Sequence, residues 1–210
     1  AQGKPFLVFD YIDGPNLETL LKDDGLGLRQ AARIARDMAQ ALQHAHSAGL
    51  VHRDLKPSNI LFERATGRAF LTDFGLVKDL TASPQLGRLT HAGTTLGSPS
   101  YMAPEQAMAK QVDARSDVYG LCATLYELLT GHPPHSGPNL ASILLNVQKL
   151  TPIRPRQHTP GIPPALEGIV LKGLAKAPQE RYQTAQELAA DLDRFLTRQP
   201  VRATPFGWRD

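Results

Sequence analysis

The chain is 210 residues long, 41% hydrophobic and 20% charged, with a formal net charge of +3. That length supports one good-sized core, or one large domain with a fragment of another, and the composition is ordinary for a soluble globular protein. The basic excess is local: from Lys149 onward there are ten Lys or Arg against six Asp or Glu, with no basic run interleaved with aromatics, so a solvated face is expected and no nucleic-acid partner.

Cys122 is the only cysteine, which excludes an intrachain disulfide and points to a reducing compartment. Lying in an apolar helical stretch, it reads as a buried, inert thiol. No segment approaches the roughly eighteen uninterrupted apolar residues of a membrane span, so no direct membrane contact is expected, and Phe6 to Phe9 is too short for a signal-peptide core. There is no internal repeat and no low-complexity tract.

In chain order, Pro5 to Tyr11 is expected as a short buried strand ended by the turn Ile12 to Gly14. Gly25 and Gly27 form a Gly-x-Gly, but Gln30 stands where a phosphate-binding loop needs its third glycine, so they read as a loop before a helix. That helix is expected over Arg29 to Ala48, with Ile34, Met38, Leu42 and Ala45 inward, His44 and His46 on the polar part, and Gly49 as its left-handed cap. Leu50 with Val51, Ile60 to Phe62, and Ala69 to Thr72 are expected as three short strands that hold two polar loops side by side.

The stretch Leu76 to Tyr101 is irregular and rich in Ser, Thr, Gly and Pro; such a segment inside a compact domain is usually functional. Val118, Leu121, Cys122, Leu125, Leu128 and Leu129 define a helix apolar over most of its circumference, stopped by Gly131 and Pro133, which belongs at the centre of a helical lobe. His132 and His135 flank two prolines without further ligands at zinc-like spacing, so the pair reads as a structural turn. Amphipathic stretches follow at Asn139 to Val147, Ala165 to Ala175 and Ala185 to Leu196, the last introduced by Thr184 and Glu187 spaced as a capping box. The tail after Thr197 has no periodicity and reads as linker.

Three motifs carry the chemistry: HRDLKPSN (His52 to Asn59), DFG (Asp73 to Gly75) and APE (Ala103 to Glu105). Transfer of a γ-phosphoryl group from ATP to a hydroxyl needs a carboxylate near the nucleophile and oxygen ligands that hold Mg²⁺ against the phosphates. Asp54 can take the first role, and Asn59 with Asp73 the second. In order and wording these motifs resemble the eukaryotic-type (Hanks-type) serine/threonine protein kinases, and YMAPEQA and DLDRFL resemble the bacterial ones.

The resemblance implies a mainly α large C-terminal lobe with short β-strands around the catalytic loop, α+β in the complete kinase. It divides the chain into a remnant of the small lobe's last strand and the hinge (1–13), the large lobe (14–197, with the catalytic loop at 52–59 and the activation segment at 73–105), and a tail (198–210). It makes Asp54 the residue that orients the substrate hydroxyl and accepts its proton. Lys56 lies beside the transferring phosphate, and Ser98 bonds that Asp and Lys. It gives Asn59 and Asp73 to Mg²⁺, and Phe9, Asp10, Ile12 and Leu61 to the adenine side of ATP.

Arg53 would receive a phosphate on the activation segment, at Thr90 first and Thr94 or Thr95 next. Glu105 would pair with Arg181, and Asp117 would bond the catalytic-loop backbone. The implied partners are protein substrates bearing Ser or Thr, and a small lobe. These 210 residues hold no glycine-rich loop, no VAIK-like lysine strand and no glutamate helix ahead of the hinge, so the chain alone is expected to be inactive. It is expected to be cytoplasmic, with any membrane anchor of the parent protein in a segment outside these residues. A non-catalytic pseudokinase-like interaction module and a small-molecule phosphotransferase of kinase-like fold remain as alternatives; Lys56 and the Ser98 to Glu105 segment argue against the second.

Overall fold

Asn16 starts the first helix, α1 (Leu17–Asp23), by accepting a hydrogen bond on Oδ1 from the Thr19 amide at 2.9 Å. The computed structural model describes residues 10–23, 25–74 and 99–203. The expected strand over Pro5 to Tyr11 and the Leu76 to Tyr101 segment therefore fall largely outside the described residues. Helix α1 was not anticipated, although Asn16 followed by Leu17, Leu20 and Leu21 carries both a cap and a helical apolar spacing; Leu17 and Leu20 are buried.

Helix α2 (Leu28–Ser47) turns Ala31, Ala35, Met38, Ala39 and Leu42 inward, with Gly27 as the loop residue before it. It ends in a Schellman closure: Gly49, at φ 77°, donates to His46 O, and Leu50 donates to Ala45 O at 3.0 Å. This closure is why the strand expected at Leu50 and Val51 does not form. The Leu50 amide is spent on the helix end, and its side chain is exposed. The other two strands form and pair antiparallel as β1 (Ile60–Glu63) and β2 (Arg68–Leu71), with Ile60 opposite Leu71.

The remaining described chain is helical: α3 (Pro104–Ala107), α4 (Ala114–Thr130), α5 (Leu140–Lys149), α6 (Pro155–His158), α7 (Pro164–Gly173) and α8 (Ala185–Leu196). Helix α4 is the axis of the core. Val118, Tyr119, Leu121, Cys122, Leu125 and Tyr126 are all essentially inaccessible, and α2, α7 and α8 pack around them. Burial pushes the Cys122 thiol up to about 12, in keeping with an inert side chain. This is the mainly helical lobe expected from the motifs.

Two details at the end of the lobe differ from expectation. Thr184 caps α8 by accepting from the Glu187 amide at 3.1 Å, but the Glu187 carboxylate reaches one residue further back and accepts from the Gln183 amide. Residues 198–203, expected as linker, fold back instead. Arg198 turns the chain at φ 60°, and the Arg202 and Ala203 amides donate to the two oxygens of buried Asp191 at 2.7 and 2.8 Å. Tyr182 also donates to that carboxylate, and Ala203 is only 2% exposed. A carboxylate beyond the reach of periodicity arguments thus makes the tail part of the core.

His135, read as a turn residue, is buried, and its Nε2 lies 3.0 Å from Lys176 Nζ, which donates to Val147 O. Desolvation lowers both groups, His135 to about 4 and Lys176 to about 8.

Two predictions follow from this packing. A Cβ on Gly173 would lie 2.1 Å from Cys122 Sγ and 2.8 Å from its Cβ. Gly173→Ala should destabilise the chain by about 1–3 kcal/mol in urea unfolding, with part of the loss recovered when Cys122→Ala removes the sulfur. His135 has a folded-state pKa below its unfolded value, so between about pH 6.5 and 4 the unfolded chain takes up a proton that the folded chain refuses. Stability should fall as pH drops through that window, by a component on the order of 3 kcal/mol. His135→Phe should flatten that part of the stability–pH curve.

Candidate active site

The hairpin register brings two loops together. Thr72 donates to Asn59 O through its amide at 3.0 Å and through its hydroxyl at 3.2 Å, so Asp73, just after β2, stands beside Asn59 at the start of β1. Within the first loop Lys56 Nζ lies 3.0 Å from Asp54 Oδ2, and Asn59 Nδ2 donates to Asp54 O at 2.8 Å and to Oδ2 at 3.2 Å. The Asn59 amide nitrogen is thereby committed to Asp54, which leaves its Oδ1 as the ligand atom. Asp54 keeps a side chain 35% exposed, against 18% for Lys56. The carboxylate is held from one side and open on the other.

His52 joins the two loops through its ring. Nε2 faces Thr72 O at 2.9 Å, and Nδ1 receives the Asp54 amide at 3.3 Å. A carbonyl can only accept and an amide can only donate, so these partners assign the proton to Nε2. The ring also packs against Phe74 of the DFG motif, with centroids 4.8 Å apart.

Two residues in these loops sit at left-handed backbone angles, Arg53 at φ 67° and Asp73 at φ 58°. Each such non-glycine residue costs about 1–3 kcal/mol and persists only where its surroundings over-determine it. For Arg53 the determinant is Asp117 on the first turn of α4. Its Oδ1 accepts the Arg53 amide and its Oδ2 accepts the His52 amide, both at 2.8 Å.

A third donor to Asp117 corrects an expectation. His46, assigned to the polar part of α2 with no special role, points Nε2 at Asp117 Oδ2 at 2.8 Å, with its side chain 7% exposed. The signal was present in the sequence, since Ile34, Met38, Leu42 and His46 form an unbroken i+4 series along the buried face.

The end of the activation segment is tied to the same scaffold. Glu105 on α3 meets Arg181 in a bidentate pair, 2.7 Å at each oxygen, and accepts from Ser116 Oγ at 2.5 Å. Burial would raise the Glu105 carboxyl, but the Arg181 and Ser116 bonds outweigh it and hold it below the ordinary carboxylate range. Arg181 also donates to the carbonyls of Ala175, Arg115 and Lys176, so all five of its N–H bonds are used. Tyr101 OH donates to Glu127 on α4. Gln106, unremarked in the sequence, donates from Nε2 to Arg53 O at 2.8 Å.

The segment before α1 lies against β1: Phe62 donates to Pro15 O at 2.8 Å, and Asn16 bridges Leu61. Gly14 permits this, since a Cβ there would lie 2.0 Å from Phe62 O. Asp10 is exposed, while Ile12 and Leu61 are half-buried. Phe9, Ser98, Thr90, Thr94 and Thr95, and Gly75 of the DFG motif, lie outside the described residues.

Asn59 Oδ1 and the exposed Asp73 carboxylate are hard oxygen donors of the kind Mg²⁺ takes together with phosphate oxygens and water. Among the described residues no group of three His, Cys, Asp or Glu could hold a metal by protein ligands alone. A cleft of about 520 Å³ between α2 and β2 reaches Phe74 but not Asp54.

Residues 2–192 match the family model described as the protein kinase domain. The serine/threonine-protein kinase PknB of Mycobacterium leprae is 42% identical over 200 residues, which are 95% of this chain and 32% of that protein. PknB of Mycobacterium tuberculosis is 38% identical over the same length and the same shares. The chain therefore spans about a third of the length of these relatives. Among solved structures, the Mycobacterium tuberculosis PknI kinase domain superposes with a TM-score of 0.68 at 28% identity, covering 88% of this chain and 64% of that one. Rad53 in complex with AMP-PNP gives 0.70 at 25% identity, covering 86% and 44%. With the family model matched over nearly its whole length, and bacterial serine/threonine-protein kinases among its relatives, this chain belongs to the protein kinase domain family.

Proposed function

We propose that this chain is the large lobe of a serine/threonine protein kinase, which phosphorylates hydroxyls on protein substrates when joined to a small lobe. The observation that carries the reading is the grouping of Asp54, Lys56 and Asn59 on one loop, with Asp73 held alongside by the Asn59–Thr72 bonds. Bound Mg·ATP supplies the phosphoryl group. Asp54 orients the acceptor hydroxyl and takes its proton as the new O–P bond forms and the bond from the γ-phosphorus to the β-phosphate oxygen breaks, releasing ADP, while Lys56 offsets the charge gathered on the transferring group. Asn59 and Asp73 would hold Mg²⁺, and the backbones of Asp10 and Ile12, with Phe9 and Leu61, would take the adenine. Ser98 bonds Asp54 and Lys56.

The AMP-PNP in the Rad53 structure supports an adenine nucleotide as the ligand of this fold. Phosphate on Thr90, or on Thr94 or Thr95, pairs with Arg53 and orders the activation segment. The lobe runs from residue 14 to at least residue 203, with residues 1–13 as hinge and strand. No helix among the described residues is long and apolar enough to cross a membrane. By its resemblance to bacterial kinases, the lobe is assigned to the cytoplasm, with any anchor in a segment outside these residues.

The roles of the two carboxylates can be separated in a chain that also carries the small lobe. Asp73→Asn should weaken productive Mg·ATP engagement and collapse turnover while ADP still binds. Asp54→Asn should leave Mg·ATP affinity within roughly a few-fold and lower turnover by about 10² or more. Calorimetry with Mg·ATP beside a peptide phosphorylation assay measures both, and the opposite pattern would reverse the assignment. The 210-residue chain alone should transfer no phosphate in the same assay.

A further inference from the structure

Gln106 is fixed at both ends by groups that leave it one orientation. Its Oε1 accepts the Ala103 amide at 3.0 Å and its Nε2 donates to Arg53 O at 2.8 Å. The Ala103 amide has no oxygen to offer and the Arg53 carbonyl no proton, so flipping the side-chain amide would break both bonds. Helix α3, which carries Gln106, is itself immobilised by the neighbouring Glu105 through Arg181 and Ser116.

The carbonyl that Gln106 holds belongs to the peptide unit joining Arg53 to Asp54. The N–H of that same unit donates to His52 Nδ1 at 3.3 Å, and the preceding amide, that of Arg53, is held by Asp117 Oδ1. With its oxygen and its nitrogen both bonded, the plane of the Arg53–Asp54 peptide cannot rotate without losing a bond. The direction in which the Asp54 side chain leaves the backbone is set by that plane. We infer that Gln106 is a positioning residue for phosphoryl transfer: by holding the Arg53 carbonyl it orients the Asp54 carboxylate and couples that orientation to the seating of α3 at the end of the activation segment. This rests on the kinase reading given above.

The test uses the complete kinase domain, small lobe included, with Mg·ATP and a mixed serine/threonine peptide library as acceptor. Gln106→Glu keeps the acceptor for the Ala103 amide and nearly the same volume, but turns an oxygen toward the Arg53 carbonyl where a donor stood. Its kcat should fall about tenfold or more while KM for ATP stays within twofold, because misorienting a reacting group by a fraction of an ångström costs rate rather than nucleotide affinity. Gln148→Glu is the matched control. Gln148 Nε2 donates to Ala107 O of the same helix at 3.3 Å, away from Arg53, and its loss should leave kcat unchanged.

If Gln106→Glu does not fold, Gln106→Met is judged by the same criterion. A kcat within twofold of wild type in either folded variant overturns the inference, as does a loss confined to melting temperature with turnover per folded enzyme intact. An equal fall in the Gln148→Glu control also overturns it, by showing that α3 and not the Arg53 contact is responsible. A wild-type domain that phosphorylates none of the library peptides would instead sink the kinase reading itself.

Discussion

One buried carboxylate governs the geometry of the loop that carries Asp54. Asp117 is 1% exposed, and removing an ionised carboxyl from water is costly unless hydrogen bonds replace what water gave. Three do so, from His46 and from the amides of His52 and Arg53. The two amides belong to a stretch with no strand or helix to satisfy them, so carboxylate and loop each remove the other's penalty. Because Asp117 sits on the first turn of α4, where the helix N-terminus also favours negative charge, the loop inherits the rigidity of the most deeply buried helix in the lobe.

The second tie works by a different chemistry. Glu105 and Arg181 form a full ion pair, and its value lies in completeness rather than in Coulomb attraction, since every guanidinium proton has an acceptor. A buried pair with unmet donors would cost more than it returned. A lysine at position 181, with three donors and no planar fork, could not replace these bonds. Asp117 fixes the loop before Asp54, and Glu105 fixes the helix whose next residue, Gln106, reaches back to Arg53. The Asp54 carboxylate therefore stands where two independent anchorages on α4 converge.

Much of this was legible in the sequence because motifs and periodicity are local signals. Helix α4 and the start and end of α8 follow from apolar spacing, Gly131 and Thr184, and the grouping of His52 to Asn59 with Asp73 from two strands of β-prone residues. What was not legible depends on single hydrogen-bond partners that no apolar period marks. Leu50 and Val51 have strand-like side chains, yet the helix end captures the Leu50 amide. The i+4 series places His46 on the buried face, but its partner Asp117 lies 71 residues later and no spacing announces it. The 198–203 stretch looks featureless because its stabilising contact is to a single buried aspartate rather than to a repeating apolar face.

That aspartate has a consequence for whatever follows Ala203. The reach of an attached segment depends on its length and on where its fixed base lies. By binding the Arg202 and Ala203 amides, Asp191 ties residues 202 and 203 to the lobe, so such a segment would start beside that buried carboxylate and not at the end of α8. A segment attached there would reach the rest of the lobe from a base set by one buried side chain, 12 residues before Ala203 in the sequence.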